Sequence, residues 1–146
     1  MFQWFGKVNY SPFTKVGDFA DHLKNGHLMG SRCKACGTTS FPPRADCEQC
    51  MSGDFEFHEI SGRAVLHTFT KIVAAPTGFE DATPYIVGVV DLEEGGRALA
   101  WFGETISEDE IAIGMELQVV PRIFEELEAI KVYYSLDKPG TTWSKV

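Results

Sequence analysis

Four cysteines are the residues of this 146-residue chain whose spacing most clearly indicates chemistry. They form two CxxC pairs, Cys33 with Cys36 and Cys47 with Cys50, and ten residues separate the pairs. Four thiolates complete the coordination of tetrahedral Zn²⁺ and leave no position for water. The spacing therefore predicts one structural zinc site. Iron binds the same set of ligands, so the spacing alone does not distinguish the two metals.

Two further features favour metal binding over disulfide bonds. The N-terminal residues MFQWFGKVNY do not read as a secretory signal peptide, which favours a reducing, cytoplasmic location. Gly37, directly after the first pair, supplies the backbone freedom that a metal-binding turn needs. Pro42 and Pro43 stiffen the link between the two pairs. Residues 30–54 are therefore predicted to form a zinc ribbon.

The rest of the chain offers no comparable catalytic constellation. No histidine has a nearby serine or free cysteine that would make a convincing nucleophile and base pair, and no glycine-rich phosphate loop is present. The acids that cluster late in the chain are typical of a solvated face, or of a contact patch for a basic partner. The four histidines are His22, His27, His58 and His67. The sequence itself predicts a scaffold, not an enzyme.

The composition argues against two classes of partner. The formal net charge is −8, and it becomes about −10 once four thiolates hold one zinc ion. Such a chain is repelled by phosphate backbones, so the composition argues against a nucleic-acid-binding protein. No apolar run approaches the roughly 18 residues that a membrane span needs. The sequence therefore predicts that this is not a membrane protein.

One short helix is predicted ahead of the ribbon. Val16, Phe19, Ala20 and Leu23 form an apolar stripe at helical spacing, so the helix is expected over 16–24 and to end before Gly26. An aromatic-rich arm precedes it. Its rings are expected either to fold back on the barrel or to dock against a partner protein. Residues 1–29 are therefore assigned to the arm and the helix.

From residue 55 onward the apolar period changes to two, which is typical of strands. Runs at 55–60 and 62–75 meet at Gly62, where a turn or bulge is expected. A hairpin over 85–102 turns at 93–96, and two more runs follow. Five main strands after the ribbon predict an OB-type barrel over 55–136, with a tail at 137–146 extending beyond it.

Several of these motifs together resemble one protein family. Its members carry a rubredoxin-like zinc ribbon followed by an OB-fold, were long labelled a domain of unknown function, and are described as acyl-CoA-associated. The motifs are RCKACGTTSFPPRADCEQC, GRAVLHTFT, TPYIVGVVDLEEGGRALA and IGMELQVV, within residues 16–134. The second knuckle reads CEQC where many relatives have CPxC, which leaves the ligands intact. The resemblance implies a mainly β fold with an N-terminal helix, a rubredoxin-like zinc ribbon and a five-stranded OB-fold barrel.

The same resemblance implies a function. Members of the family are accessory subunits of thiolase-superfamily enzymes, and the chemistry belongs to the larger partner chain. The implied role is a non-catalytic, zinc-containing subunit of a hetero-oligomer that cleaves or condenses 3-ketoacyl-CoA thioesters. It would stabilise the partner. The sequence indicates neither the acyl group nor the direction of the reaction.

Coenzyme A is a candidate ligand at the interface with that partner. The ribbon is locally basic within an acidic chain, and arginine binds phosphate bidentately and stacks on rings. The alternative is that these cations only solvate the ribbon or pair with acids of the barrel. The candidate CoA-binding residues are Lys24, Arg32, Lys34, Phe41 and Arg44.

Exposed aromatic residues are the candidates for partner contacts. Trp4, Phe5 and Trp143 are expected to become buried in the complex. The loop 76–84 is expected to reach toward a partner's active site, by analogy with other OB-folds. Two alternatives stay open: a stand-alone protein that binds acyl-CoA or a lipid chain, and a nucleic-acid-binding barrel. Binding without a partner would identify the first, and salt-sensitive binding of single-stranded DNA the second.

Overall fold

A computed structural model of the protein describes residues 14–124 and 131–145. Its first elements are the helix α1 (Phe19–Lys24) and the strands β1 (Met29–Cys33), β2 (Thr39–Ser40) and β3 (Phe55–Glu59). The three strands form an antiparallel sheet in the order β2-β1-β3. Because β1 ends at Cys33, the sheet holds the backbone of the first cysteine in place, and the first CxxC turn begins there.

Helix α1 begins later than its apolar stripe predicts. Residues 15–18 form turns, and the helix starts at Phe19. Asp18 occupies the N-cap position without a side-chain cap hydrogen bond, and Gly17 beside it is a poor helix former. The predicted end is correct: Gly26 has φ +83°, a left-handed conformation that terminates helices. None of the helices among the described residues is long and apolar enough to span a membrane.

Five strands close into a barrel after the ribbon. They are β4 (Arg63–Ile72), β5 (Tyr85–Leu92), β6 (Arg97–Phe102), β7 (Glu116–Phe124) and β8 (Lys131–Asp137). Their order is β4-β5-β6-β8-β7, and pairing between β4 and β7 closes the ring. The pairing of β6 with β8 is parallel, while the other barrel pairs are antiparallel. The predicted mainly β fold with a five-stranded OB-fold barrel is confirmed.

The first barrel strand is long because it has two neighbours. Its start pairs with β7, and residues Ala64 to Ile72 pair with β5. The register with β5 shifts between Leu66 and Thr68, so the strand bulges at His67. The bulge lets one strand bend around the barrel and change partners. Gly62, where the turn or bulge was expected, has φ +75° and lies in the short connection between β3 and β4.

Gly62 is held by its backbone conformation and by close packing. A Cβ atom there would lie 2.5 Å from the carbonyl oxygen of Val119. We expect Gly62→Ala to lower the free energy of unfolding by roughly 3 kcal/mol, since both left-handed strain and overpacking oppose it. The control is Gly140→Ala, at φ +85° with nothing within 4 Å of the added atom. Equal losses for the two variants in urea unfolding would contradict the packing argument.

Ribbon and barrel share one hydrophobic core. Buried side chains of the helix and ribbon, including Leu23 and Phe41, belong to the same cluster as Leu66 and Val90 of the barrel. Gly96, in the turn between β5 and β6, lies so close that a Cβ atom would sit 2.8 Å from the Phe41 backbone nitrogen. The ribbon is therefore packed firmly on the barrel.

Two elements near the predicted domain limits pair in ways that the sequence pattern did not indicate. Strand β3, expected in the barrel segment 55–136, pairs along its whole length with β1 of the ribbon, from Met29↔Glu59 to Cys33↔Phe55. In the tail, β9 (Ser144–Lys145) pairs in parallel with β7. Alternation along a strand identifies its buried face but not its neighbour. The limits themselves stay predictions.

Candidate metal centre and adjoining surfaces

The four cysteines converge on one point of the ribbon. Their sulfur atoms all lie within 4.8 Å of one another. The Sγ atoms of Cys33 and Cys50 are 3.5 Å apart, and those of Cys36 and Cys47 are also 3.5 Å apart. In a tetrahedral site with Zn–S bonds of about 2.3 Å, the sulfurs are separated by roughly 3.8 Å. The arrangement therefore fits a four-thiolate metal site, which these residues would close completely.

The two CxxC turns have the same backbone geometry. In the first turn, the Cys33 N–H donates to Thr38 O (2.9 Å), and the Cys33 carbonyl oxygen accepts from Gly37 N–H (2.9 Å). In the second turn the Cys47 N–H donates to Ser52 O (2.9 Å), and the Cys47 carbonyl accepts from Met51 N–H (3.0 Å). Each turn thus aims its two thiols at the same point.

Both turns place one residue in the left-handed region. Gly37 has φ +79° and Met51, at the equivalent position, has φ +61°. The left-handed position in the first turn could be predicted because a glycine occupies it. In the second turn the residue type gives no such sign, and only the spacing of four residues from Cys47 marks Met51 as the equivalent position. A non-glycine residue in this region costs about 1–2 kcal/mol. The second turn therefore depends on the convergence of the ligands to hold its conformation.

The four thiols differ in burial and acidity. Cys33 and Cys47 are buried, whereas Cys36 and Cys50 are exposed. Hydrogen bonds from the side chain and backbone of Thr38 lower the pKa of Cys36 to about 6. The backbone of Ser52 lowers the pKa of Cys50, but the neighbouring thiols of Cys33 and Cys36 outweigh it and raise the value to about 12. Metal binding by all four thiolates has to displace the remaining protons.

The cations predicted to bind CoA lie on the ribbon and on α1. Lys24 is exposed in the last turn of α1. The other three pair with acids of the ribbon, not of the barrel, so the predicted basic surface is largely neutralised locally. The pairs are Arg32 with Glu56 (4.0 Å), Lys34 with Asp54 (3.3 Å) and Arg44 with Glu48 (2.7 Å).

Phe41 occupies a different place from the one predicted. It was expected to offer CoA a flat apolar surface, but the ring is only 2% exposed. It packs edge-on against Tyr134, with ring centroids 5.1 Å apart, and against Phe19 at 5.9 Å. Because Phe41 belongs to the same buried cluster as the barrel side chains, it serves the core between ribbon and barrel. The structure removes it from the candidate binding surface.

The predicted partner contacts are only partly described. Trp4 and Phe5 lie outside the described residues. Trp143 is half-buried, and its indole ring covers Gly26, where an added Cβ would lie 3.0 Å from the ring. Its Nε1 atom is buried without a hydrogen-bond partner among the described residues. The structure thus turns this part of the tail back onto the end of α1, and a role in partner binding stays a prediction.

The histidines lie apart from one another, and three of them contact charged side chains. His27 lies 2.9 Å from Glu59 and His67 lies 3.1 Å from Asp91, both at the surface. His58 accepts a hydrogen bond from Arg32 (2.9 Å). Across 14–124 and 131–145, no hydrogen bond joins a histidine to a serine or cysteine side chain, and His22 packs against Phe57.

A buried ion pair is the polar feature that sequence reasoning missed. Asp137 is completely buried and its Oδ2 atom accepts from Arg122 Nη2 (2.9 Å) and from the Ser135 hydroxyl (2.6 Å). Thr105 donates to the other oxygen at 2.7 Å. Burial raises the pKa of Asp137, but the hydrogen bonds of Ser135, Arg122 and Thr105 outweigh it and leave the pKa below its usual value. The pair joins β7 to the end of β8.

An exposed aromatic surface was also missed, although its loop was singled out. Trp101 on β6 stacks on Tyr85 with ring centroids 4.4 Å apart, and Phe79 of the loop 76–84 lies 6.1 Å from Trp101. Leu99 lies beside them with 61% of its surface exposed. These residues border a groove of about 440 Å³, called the aromatic groove below; its lining is Phe79, Leu99, Ala100, Trp101, Tyr133 and Tyr134.

Family comparisons match most of the described chain. Residues 20–56 match the rubredoxin-like zinc ribbon domain of ChsH2, and residues 57–122 match the C-terminal OB-fold domain of ChsH2. The boundary between the two matches falls within β3, the strand that pairs with the ribbon.

Two of the curated relatives carry different kinds of name. A DUF35 domain-containing scaffold protein of Methanocaldococcus jannaschii is 36% identical over 107 residues, which cover 72% of this chain and 75% of that protein. The benzoylsuccinyl-CoA thiolase subunit BbsA of Thauera aromatica is 36% identical over 74 residues, which cover 51% of this chain and 50% of BbsA. The match to BbsA therefore spans about half of either chain.

Solved structures share the fold. A chain of the Ltp2-ChsH2(DUF35) aldolase superposes with a TM-score of 0.67 at 24% sequence identity, covering 87% of this chain and 98% of that one. At this level of identity the likeness concerns the fold alone.

Proposed function

Because the chain belongs to the DUF35 family of zinc-ribbon and OB-fold proteins, we propose that it is a non-catalytic accessory subunit of a thiolase-superfamily enzyme complex. The complex would act on acyl-CoA thioesters, with cleavage or condensation of a 3-ketoacyl-CoA carried out by the partner chain. The subunit would bind and stabilise that partner in a hetero-oligomer. The cytoplasm stays its predicted location.

One observation carries this proposal: the chain has the zinc-ribbon and OB-fold architecture of scaffold and thiolase-subunit relatives, and residues 14–124 and 131–145 contain no catalytic constellation. The relatives bear the names scaffold protein and thiolase subunit. Within the described residues, three histidines pair with surface acids or with arginine, and the fourth, His22, packs against Phe57. The cysteines are committed to a closed cluster. A subunit built in this way contributes binding surfaces and stability to a complex.

Zinc has a structural role in this proposal. Four thiolates leave no open position for substrate or water, so the bound ion would supply cross-linking of the ribbon and no catalysis. The two turns carry few buried apolar side chains of their own. Ligation would hold them in the conformation that positions Phe41 against the barrel.

CoA binding is the finer part of the proposal. Arg32, Lys34 and Arg44 would exchange their ribbon acids for the phosphates of CoA at the interface with the partner, with Lys24 nearby on α1. Guanidinium groups bind phosphate through two parallel, charge-assisted hydrogen bonds, the same geometry in which they bind carboxylates. Trp4, Phe5 and Trp143 stay the proposed contacts to the partner itself.

The CoA proposal predicts a selective loss of affinity. Replacing Arg32 and Arg44 together by alanine is expected to weaken binding of a CoA ester to the assembled complex by about tenfold, as for the loss of one charge-assisted hydrogen bond. Arg63→Ala removes an exposed cation of the barrel, paired with Glu93 at 2.7 Å, and is the control. Calorimetric titration measures both. Unchanged affinity in the double variant, with metal content and complex intact, would remove the ribbon from the CoA site.

The complex itself is tested by co-purification from the native host. The tagged subunit is isolated, its companions are identified by mass spectrometry, and metal content is measured on the same sample. A thiolase-type chain in stoichiometric amount with one zinc ion per subunit is the expected result. If the protein is recovered alone with zinc, the accessory role fails, and direct binding of an acyl-CoA by the isolated chain becomes the function to test.

A further inference from the structure

The aromatic groove lies where the wall of the barrel is incomplete. The ladder between β6 and β8 contains two pairs, Trp101↔Ser135 and Phe102↔Leu136. Counting only the described parts of the chain, residues 97–100 of β6 pair with β5 alone. A strand that lacks a neighbour presents backbone N–H and C=O groups as a template for another strand. This stretch of β6 is therefore an open edge within an otherwise closed barrel.

The side chains beside this edge are large and apolar. Leu99, Trp101 and Phe79 keep 61%, 38% and 45% of their surfaces exposed. None of the residues that line the groove is charged. Proteins protect open strand edges with lysine, proline or inward-pointing charges. Beside this stretch of β6 the side chains are instead aromatic and exposed, which is typical of an interaction surface. An open edge with such a border is suited to a polypeptide that pairs with the backbone and inserts apolar side chains.

The charges around the groove indicate the kind of occupant. Asp91 holds Arg97 at 2.6 Å and lies 3.1 Å from His67, and Lys71 pairs with Glu108 at 2.7 Å. These charges are paired within the subunit. Glu104, which lines a neighbouring pocket with Trp101 and Tyr133, adds an exposed acid that repels acidic ligands. A second copy would bring another net charge of −8 to a face that offers no compensating ion pair. The occupant that fits is an uncharged segment of a different chain.

We propose that the open edge of β6 and the aromatic groove bind an extended, uncharged segment of the thiolase-type partner by strand addition. The segment pairs with the backbone of residues 97–100, and its alternate side chains pack in the groove against Phe79 and Trp101. The inference rests on the proposed function for the existence of that partner, and it adds where the partner binds and with what kind of segment.

A charge placed in the groove tests the surface. Leu99→Arg is expected to weaken the complex with the thiolase-type chain by about 30-fold or more, the loss typical of a central contact residue. Because Leu99 is exposed, the fold should survive, which thermal unfolding verifies. The matched control is Ile113→Arg, at 67% exposure on a different loop, and its affinity should stay that of the unchanged protein. Normal affinity in both variants overturns the docking surface while the accessory function stands.

Hydrogen exchange tests the strand addition. Because the N–H groups of a strand point alternately to its two sides, the amides of residues 97–100 that face away from β5 should exchange at least tenfold more slowly in the complex than in the free subunit. Unchanged exchange there overturns strand pairing even if Leu99→Arg weakens binding. Two other results also overturn the proposal. In the first, the free subunit is a dimer and Leu99→Arg makes it a monomer. In the second, a synthetic peptide of residues 1–13 binds the chain that lacks these residues, and Leu99→Arg abolishes this binding. If no thiolase-type chain binds the unchanged protein, the proposed function fails with it.

Discussion

Replacing Cys47 with alanine is expected to remove the metal and unfold the ribbon. Apparent zinc affinities of structural four-ligand sites amount to about 10–16 kcal/mol at neutral pH, and this energy is coupled to folding. Cys47 is buried, its Sγ atom lies 3.5 Å from that of Cys36, and its backbone anchors the second turn through Ser52 and Met51. With three ligands the site is open, and Met51 loses the constraint that holds its left-handed conformation.

The measurement is zinc per chain by elemental analysis, together with amide chemical shifts of residues 30–54. Gln49→Ala is the control, because Gln49 lies in the same turn and contacts the Cys47 sulfur only through its backbone N–H (3.4 Å). The control should bind one zinc ion and show an unchanged spectrum. A Cys47→Ala protein that still holds one equivalent of zinc with a folded ribbon would contradict the four-thiolate site.

Replacing Asp137 with asparagine is expected to lower the free energy of unfolding by about 3–5 kcal/mol, the usual cost of removing one partner of a buried ion pair. Its carboxylate accepts from Arg122, Ser135 and Thr105. Gly103 packs so closely against the carboxylate that a side chain there would overlap it. Asparagine has the same size, but its NH₂ group is a donor that would face the donors of the surrounding side chains. It also leaves the Arg122 guanidinium without a negative partner.

For a chain of this length, the loss corresponds to a fall in melting temperature of roughly 10 °C or more. Asp81→Asn is the control, since Asp81 is exposed in the loop between β4 and β5; its melting temperature should be unchanged. Thermal unfolding of the zinc-loaded protein measures both. Equal melting temperatures of Asp137→Asn and the unchanged protein would show that the ion pair contributes no net stability.

The same pair predicts a pH dependence. The pKa of Asp137 in the folded state lies below its ordinary value of 3.8, so the carboxylate stabilises the fold fully above that value. The stabilisation is lost as the pH falls from about 4 through the folded-state pKa. The difference in unfolding free energy between the unchanged protein and Asp137→Asn should therefore be constant near neutrality and shrink below about pH 4. A difference that grows with acidity would contradict this sign.

The local features of the protein were predictable because they depend on neighbours in sequence. Two CxxC pairs determine a four-thiolate cluster, since each tight turn brings its own two sulfurs together and one metal ion joins the turns. The glycines at 26, 62, 95 and 96 mark turns that require positive φ. Alternation of apolar residues identifies each barrel strand, and the count of five strands after the ribbon identifies the OB-fold.

Features that depend on contacts between distant segments required the tertiary structure. Phe41, in a stiff proline-rich link, reads as an exposed ring, yet Tyr134 and Phe19 bury it. Asp137 at the end of a strand carries no sign in the sequence that Arg122 and Thr105 will enclose it.

The basic residues of the ribbon and the pairing of its strands follow the same rule. The nearest acids of Arg32, Lys34 and Arg44 belong to the ribbon itself, and β3 pairs with β1 and not with the barrel. Spacing along the chain therefore determined the four-cysteine cluster, the turns and the strands. Burial, ion pairing and strand neighbours were decided by the tertiary structure, because they depend on which surfaces the folded chain brings into contact.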